Sequence, residues 1–152
     1  MEMESLKGAL LSACKQYVQD RITNADQAIA VASDAATDDT KSSAGDKFET
    51  TREMMQQEIN RLQQLLAQAR QMEQVLRNID INIHAKQAML GSLVETNHGA
   101  FFLSVSAGQL LVDGKTYFAV SIASPVGSLM LGKEVGEQFT LNQIEYQLVS
   151  VS

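Results

Sequence analysis

The sequence predicts an α+β chain of 152 residues: a long helical hairpin, then a small β-sheet domain with one short helix. Three observations carry this reading. Residues 1–90 hold 23 of the 30 charged residues and most of the glutamines, whereas 91–152 hold most of the glycines, the only proline and four of the five phenylalanines. Apolar residues recur at helical spacing in the first part and alternate with polar ones in the second. The acidic, breaker-rich segment "TDDTKSSAGDKFET", Thr37 to Thr50, interrupts the helical part near its middle.

In the first helix, about Ser5 to Ala36, the residues Leu11, Cys14, Val18, Ala25, Ile29 and Ala32 step by three, four or seven. In the second, about Asp46 to Asp80, the same steps link Met55, Ile59, Leu62, Leu66, Ala69, Leu76 and Ile79. Each is a coiled-coil stripe. Both helices would be roughly 50 Å long at about 1.5 Å per residue. Equal lengths favour an antiparallel hairpin over residues 1–85, with an acidic tip over about 34–50. Alanine in the stripe lets the helices approach closely but leaves each layer little buried area. Met54, Met55, Met72 and Met89 are expected to fill gaps in the core.

The turn belongs in the quoted segment, because Thr, Ser, Asp and Gly compete with helical hydrogen bonds. Asp34, Asp38, Asp39, Asp46 and Glu49 gather there against Lys41 and Lys47. One reading is purely structural: Ser43 and Asp46 have capping-box spacing, and carboxylates in a first turn suit the helix dipole. The other follows from Asp46 and Glu49 being three apart, on one helical face. Two carboxylates so placed can share a hard cation such as Mg²⁺, although they fall far short of an octahedral shell.

From residue 90 on, "FFLSVS", "TYFAVSI" and "YQLVSVS" alternate apolar and polar side chains, and Asp113-Gly114 is a hairpin signal. "SPVGSLMLGKEVGE" breaks the alternation and suits a short helix with a glycine exit. Four or five strands with one short helix are expected over 90–152, with Phe101, Phe102, Tyr117, Phe118 and Phe139 in the core.

Composition excludes several classes. A formal charge of −6 and a pI near 4.8 argue against non-specific nucleic-acid binding, which needs a positive field. Neither sequence-specific DNA binding nor membrane association is expected. The single cysteine, Cys14, permits no internal disulfide, and the opening "MEMESLKGALL" lacks the basic region of a signal peptide. A cytoplasmic protein is the expectation.

Ser124, Pro125 and Val126, followed by Leu131, Gly132, Lys133, Gly136 and Glu137, match the pattern S-P-[IV]-x(4)-[LI]-G-K-x-x-G-[DE]. That pattern resembles the signature of the bacterial GreA/GreB transcript-cleavage factors, which enter the RNA polymerase secondary channel. Gly91, Ser92 and Val94 are similar to the G-S-x-V that opens the family's C-terminal domain, and "GDKFET" to the start of its tip motif, G-D-[LI]-x-E-N-A-E-Y. The resemblance implies an FKBP-like fold for 90–152 and RNA polymerase as partner, with nascent RNA met only indirectly. It implies that Asp46 and Glu49 help polymerase hold Mg²⁺ during RNA cleavage; the additional tip acids Asp38 and Asp39 of this chain could replace or supplement that pair. It implies docking through Ala123, Ser124 and Pro125. The chain by itself would be no enzyme and would bind no cofactor in isolation. Where the family has N-A-E-Y, this chain has Thr50, Thr51, Arg52 and Glu53, and Ala123 stands where some relatives have aspartate. A non-cleaving regulator or inhibitor of polymerase is therefore the alternative within the family.

Outside it, three classes compete. Cys14, His84 and His98 supply the residue types of a thiol enzyme, but Cys14 lies on the apolar stripe and no glycine-flanked nucleophile turn surrounds it. Prolyl isomerase activity would need an aromatic floor in a domain without tryptophan. A structural coiled-coil adaptor would use its tip acids only to cap and solvate the turn.

Overall fold

A computed structural model of the chain describes the backbone of residues 2–39 and 45–152, and the side chains of residues 6–36 and 50–152. Two long helices come first, α1 (Glu2–Asp39) and α2 (Gly45–Arg77). Six strands and a short helix follow: β1 (Leu93–Thr96), β2 (Gly99–Ser104), β3 (Gly108–Val112), β4 (Lys115–Ser121), α3 (Pro125–Met130), β5 (Gln138–Leu141) and β6 (Ile144–Val151). The chain forms two compact units, one of residues 1–17 and 74–152, the other of 18–73.

The unit 18–73 is the greater part of the helical hairpin. Among the described residues its buried side chains are Val18, Ile22, Ala25 and Ala32 on α1 and Leu62 and Ala69 on α2. A groove between the helices brings Arg21 and Ala25 to Leu62 and Leu65, and a second brings Val31 and Ala35 to Met55 and Glu58. Numbers that rise on α1 fall on α2, so the helices are antiparallel. Ile22 was absent from the expected stripe, and Leu10 rather than Leu11 is the buried residue at the head of it. Successive steps of four rotate the buried face slowly around the helix, which displaces the stripe from a strict heptad. Met54 and Met89 were expected in the core but are 60% and 38% exposed. Met54 is next to Met55 on α2, and neighbours in a helix point about 100° apart, so only one of them faces α1.

In the other unit the strand order is β3-β4-β2-β1-β6-β5. All pairs are antiparallel except β2 and β4, where Phe101 faces Phe118 and Leu103 faces Val120 in parallel register. Three tight hairpins shape the sheet, the first with Thr96 paired to Gly99 around Asn97-His98. Val112 pairs with Lys115 around Asp113-Gly114, the turn expected from sequence, and Leu141 pairs with Ile144 around Asn142-Gln143. The strands are six where four or five were expected. β1 and β5 have four residues each, too few for alternation to show.

The sheet has two buried faces. Phe101, Leu103, Phe139 and Leu148 form one cluster with Met130 of α3, and Val126 and Leu129 pack against it. Alternate residues on β2, Phe102 and Ser104, point the opposite way. There the Ser104 hydroxyl lies 3.5 Å from Cys14 Sγ of α1. β2 accordingly has four consecutive buried residues, as a strand covered on both sides should.

Candidate functional site

Segment 121–137 contains every residue of the S-P-[IV] signature and forms a loop, a short helix and a second loop. Ser124 has extended backbone angles, φ −70° and ψ 161°, and caps α3 with its side chain accepting from the Gly127 N–H at 3.1 Å. Pro125 takes the first helical position, where its missing N–H costs nothing. The Ser124 hydroxyl donates to the Ser121 carbonyl at 2.6 Å, and the Ser124 N–H donates to the same carbonyl at 3.0 Å. Ala123 is exposed and donates its N–H to the Ser121 hydroxyl at 3.0 Å. Thus Ala123, Ser124 and Pro125 form a surface corner at the end of β4.

The rest of the signature fixes the exit from α3. Val126 turns into the core, while Leu131 remains 44% exposed. Gly132 has φ +85°, a left-handed conformation that suits glycine, and its N–H donates to the Ala88 carbonyl at 2.7 Å. Ala88 in turn donates to the Lys133 carbonyl at 2.8 Å. The Glu137 carboxylate accepts from the Glu134 N–H at 2.9 Å and closes the second loop. Gly127 occupies an unspecified position of the pattern. A Cβ there would lie 2.0 Å from the Ser121 carbonyl oxygen. Only the structure exposes that constraint, since the clash is with backbone rather than with a patterned side chain.

The tip is the other half of the expected site. Asp38 and Asp39 fall within the range of α1, and Asp46 and Glu49 within that of α2. Their side chains lie outside the described residues, as do residues 40–44 altogether. Asp34 is exposed. Among the described residues no three His, Cys, Asp or Glu side chains come together as a metal site.

Cys14, His84 and His98 find separate surroundings. The Cys14 thiol is buried against the Ser104 hydroxyl, and burial raises its pKa, an effect the Ser104 hydrogen bond partly offsets. His98 is exposed in the β1–β2 turn and meets Tyr146 edge to face, with ring centroids 5.4 Å apart. His84 is exposed in the segment between α2 and β1. The arginines of α2 are largely solvated, with Arg61 gripping Glu58 through two hydrogen bonds and Arg70 lying 3.9 Å from Glu73.

No helix among the described residues is long and apolar enough to cross a membrane. No family model and no curated protein matches the chain. The solved structure of the transcription factor Gfh1 is similar, at 18% identity and a TM-score of 0.35, covering 90% of this chain and 92% of that one. The architecture described above rests on this chain's own helices and sheet.

Proposed function

We propose that this chain is a GreA/GreB-like factor that acts on RNA polymerase. The observation that carries the reading is the segment 121–137, where the signature residues coincide with a surface corner that needs their types. Serine caps, proline opens the helix, and Gly132 supplies a left-handed exit. The two-part architecture, a helical hairpin before a sheet domain, supports it further.

In this reading Ala123, Ser124 and Pro125 dock on polymerase, and the acidic end of the hairpin enters the secondary channel. Asp46 and Glu49 bring two carboxylates to the polymerase centre, with Asp38 and Asp39 as supplementary acids. Two carboxylates suit Mg²⁺ in ligand type but complete no octahedral shell, so the remaining ligands come from polymerase, water and RNA. A second Mg²⁺ there would activate water and stabilise the leaving oxygen of backtracked RNA. The isolated chain is then catalytically silent, and it meets RNA only within polymerase.

One observation favours a second outcome at the same place. Thr50, Thr51, Arg52 and Glu53 replace N-A-E-Y, so the tip lacks the family's tyrosine. A tip altered in this way would occupy the channel and slow nucleotide addition without cleavage.

A backtracked bacterial elongation complex, incubated with Mg²⁺ and the protein, separates the outcomes when RNA lengths are resolved on a gel. Shortened RNA that is lost in the Asp46→Ala, Glu49→Ala double variant, with polymerase binding retained, is the expected result. Uncut RNA with slowed extension would establish the channel-occupying regulator. No effect of either kind would sink the proposal and leave the acids as a helix cap.

A further inference from the structure

The corner at Ala123–Pro125 is held on one side by the first turn of α3, through Gly127 and Ser128, and on the other by a single residue of β4. Ser121, the last residue of β4, receives three hydrogen bonds from the corner. Its carbonyl accepts from the Ser124 N–H at 3.0 Å and from the Ser124 hydroxyl at 2.6 Å, and its own hydroxyl accepts from the Ala123 N–H at 3.0 Å. On its other side the Ser121 N–H donates to the Ser106 hydroxyl at 3.3 Å, which ties it to the loop between β2 and β3. Its Cα is in register with Ser104 across the parallel β2–β4 pair. Ser121 therefore links the surface corner to β2 and to the loop that follows it.

The same carbonyl explains Gly127. The first turn of α3 passes so close to Ser121 that a Cβ at 127 would sit 2.0 Å from the carbonyl oxygen and 3.0 Å from Ser124 Oγ. A side chain at 127 would push away the carbonyl that orients Ser124. Resting on the docking reading above, we infer that Ser121 is a positioning residue for polymerase binding, with glycine at 127 required for its carbonyl to reach Ser124. Ser121 acts by presetting the corner, so that the chain does not order it anew on binding.

The test is a fluorescence titration of the full chain, labelled at its N-terminus, with bacterial RNA polymerase core enzyme. Ser121→Ala removes one hydrogen bond of the corner and is expected to weaken binding about fivefold, the scale of one ordinary hydrogen bond. Ser121→Thr keeps the hydroxyl and is expected to restore it. Gly127→Ala, which disturbs the carbonyl instead, is expected to weaken binding as well. At saturating protein the effect on RNA length or extension should equal that of the unaltered chain, because the tip is untouched. Pro125→Ala serves as the control for docking itself. If Pro125→Ala weakens binding while Ser121→Ala does not, the positioning role is overturned and the docking reading stands. If Pro125→Ala binds like the unaltered chain, the docking reading fails and Ser121 falls with it. A lowered melting temperature in Ser121→Ala that Ser121→Thr does not restore would also overturn the inference, by reducing Ser121 to a stabilising residue.

Discussion

Two buried polar side chains show how single residues tie α1 to the sheet unit. Lys7 is 1% exposed, and its amine donates to the Ile83 carbonyl at 3.1 Å, pinning the segment that follows α2. Burial lowers its pKa, and the charge of Asp80 works in the opposite direction. Cys14 makes the corresponding contact with Ser104 on the sheet. A thiolate there would lose its water, so the thiol keeps its proton to higher pH in the folded chain than in the unfolded one. Its contribution to stability is thus present below the ordinary thiol pKa and is lost as pH rises from that value towards the folded one. Alkylation of Cys14 at pH 8 is expected to be more than about tenfold slower in the native chain than in denaturant, as followed by mass spectrometry. Equal rates would mean that α1 leaves the sheet readily. The sequence located Cys14 on the apolar stripe, but its partner is 90 residues away and no local pattern indicated it.

At the scale of elements, the hairpin turns show which local signals were strong. Asp113-Gly114 was visible because Asp-Gly is the pair that a two-residue turn with positive φ at both positions favours. Asn142-Gln143 makes a turn of the same length with φ of 53° and 67°, yet glutamine carries no such signal. The strands on either side impose the conformation, since Phe139 stacks on Tyr146 with centroids 4.8 Å apart. A left-handed non-glycine residue costs about 1–2 kcal/mol, and glycine gives back part of that in unfolded-state entropy. Gln143→Gly is therefore expected to stabilise the fold by roughly 0.5 kcal/mol, read as a higher urea midpoint at unchanged slope. A lower midpoint would show that Gln143 makes contacts worth more than its backbone strain. Helix α3 is legible in the sequence for the same reason as the Asp113-Gly114 turn. Serine, proline and glycine each mark a helix end by local chemistry, and the helix is short enough to consist of little else.

The whole molecule divides its stabilising contacts unevenly. The sheet unit buries Phe101, Phe102, Leu103, Phe139, Leu148 and Met130, each with large apolar area to remove from water. Among its described residues the hairpin unit, 18–73, has six core side chains, three of them alanines, and Val31 is 69% exposed. Layers built on alanine gain little from burial, and long helices with few such contacts open locally at low cost. Hydrogen exchange should therefore release the amides of 18–36 and 50–73 well before those of β1, β2 and β4, as mass spectrometry of peptic fragments would resolve. Equal protection throughout would show that the alanine layers pack as firmly as the sheet. For the function proposed above, the same division keeps the docking corner on the firmly packed unit.

The sequence by itself determined the order of parts, both long helices, the Asp113-Gly114 turn and the short helix opened by Ser124 and Pro125. These rest on periodicity and on residues with strong local backbone preferences, which need no distant partner. The acidic segment Thr37 to Thr50, where charge and breaker residues stand together in the chain, was expected as the tip, and its side chains lie largely outside the described residues. Only the tertiary structure decided the sixth strand, the parallel pairing of β2 with β4, the partners of Lys7 and Cys14, and the dependence of the corner on Ser121 and Gly127. Each of those is a contact between segments distant in sequence or an approach of backbone to backbone, and neither leaves a repeating mark in the order of residues.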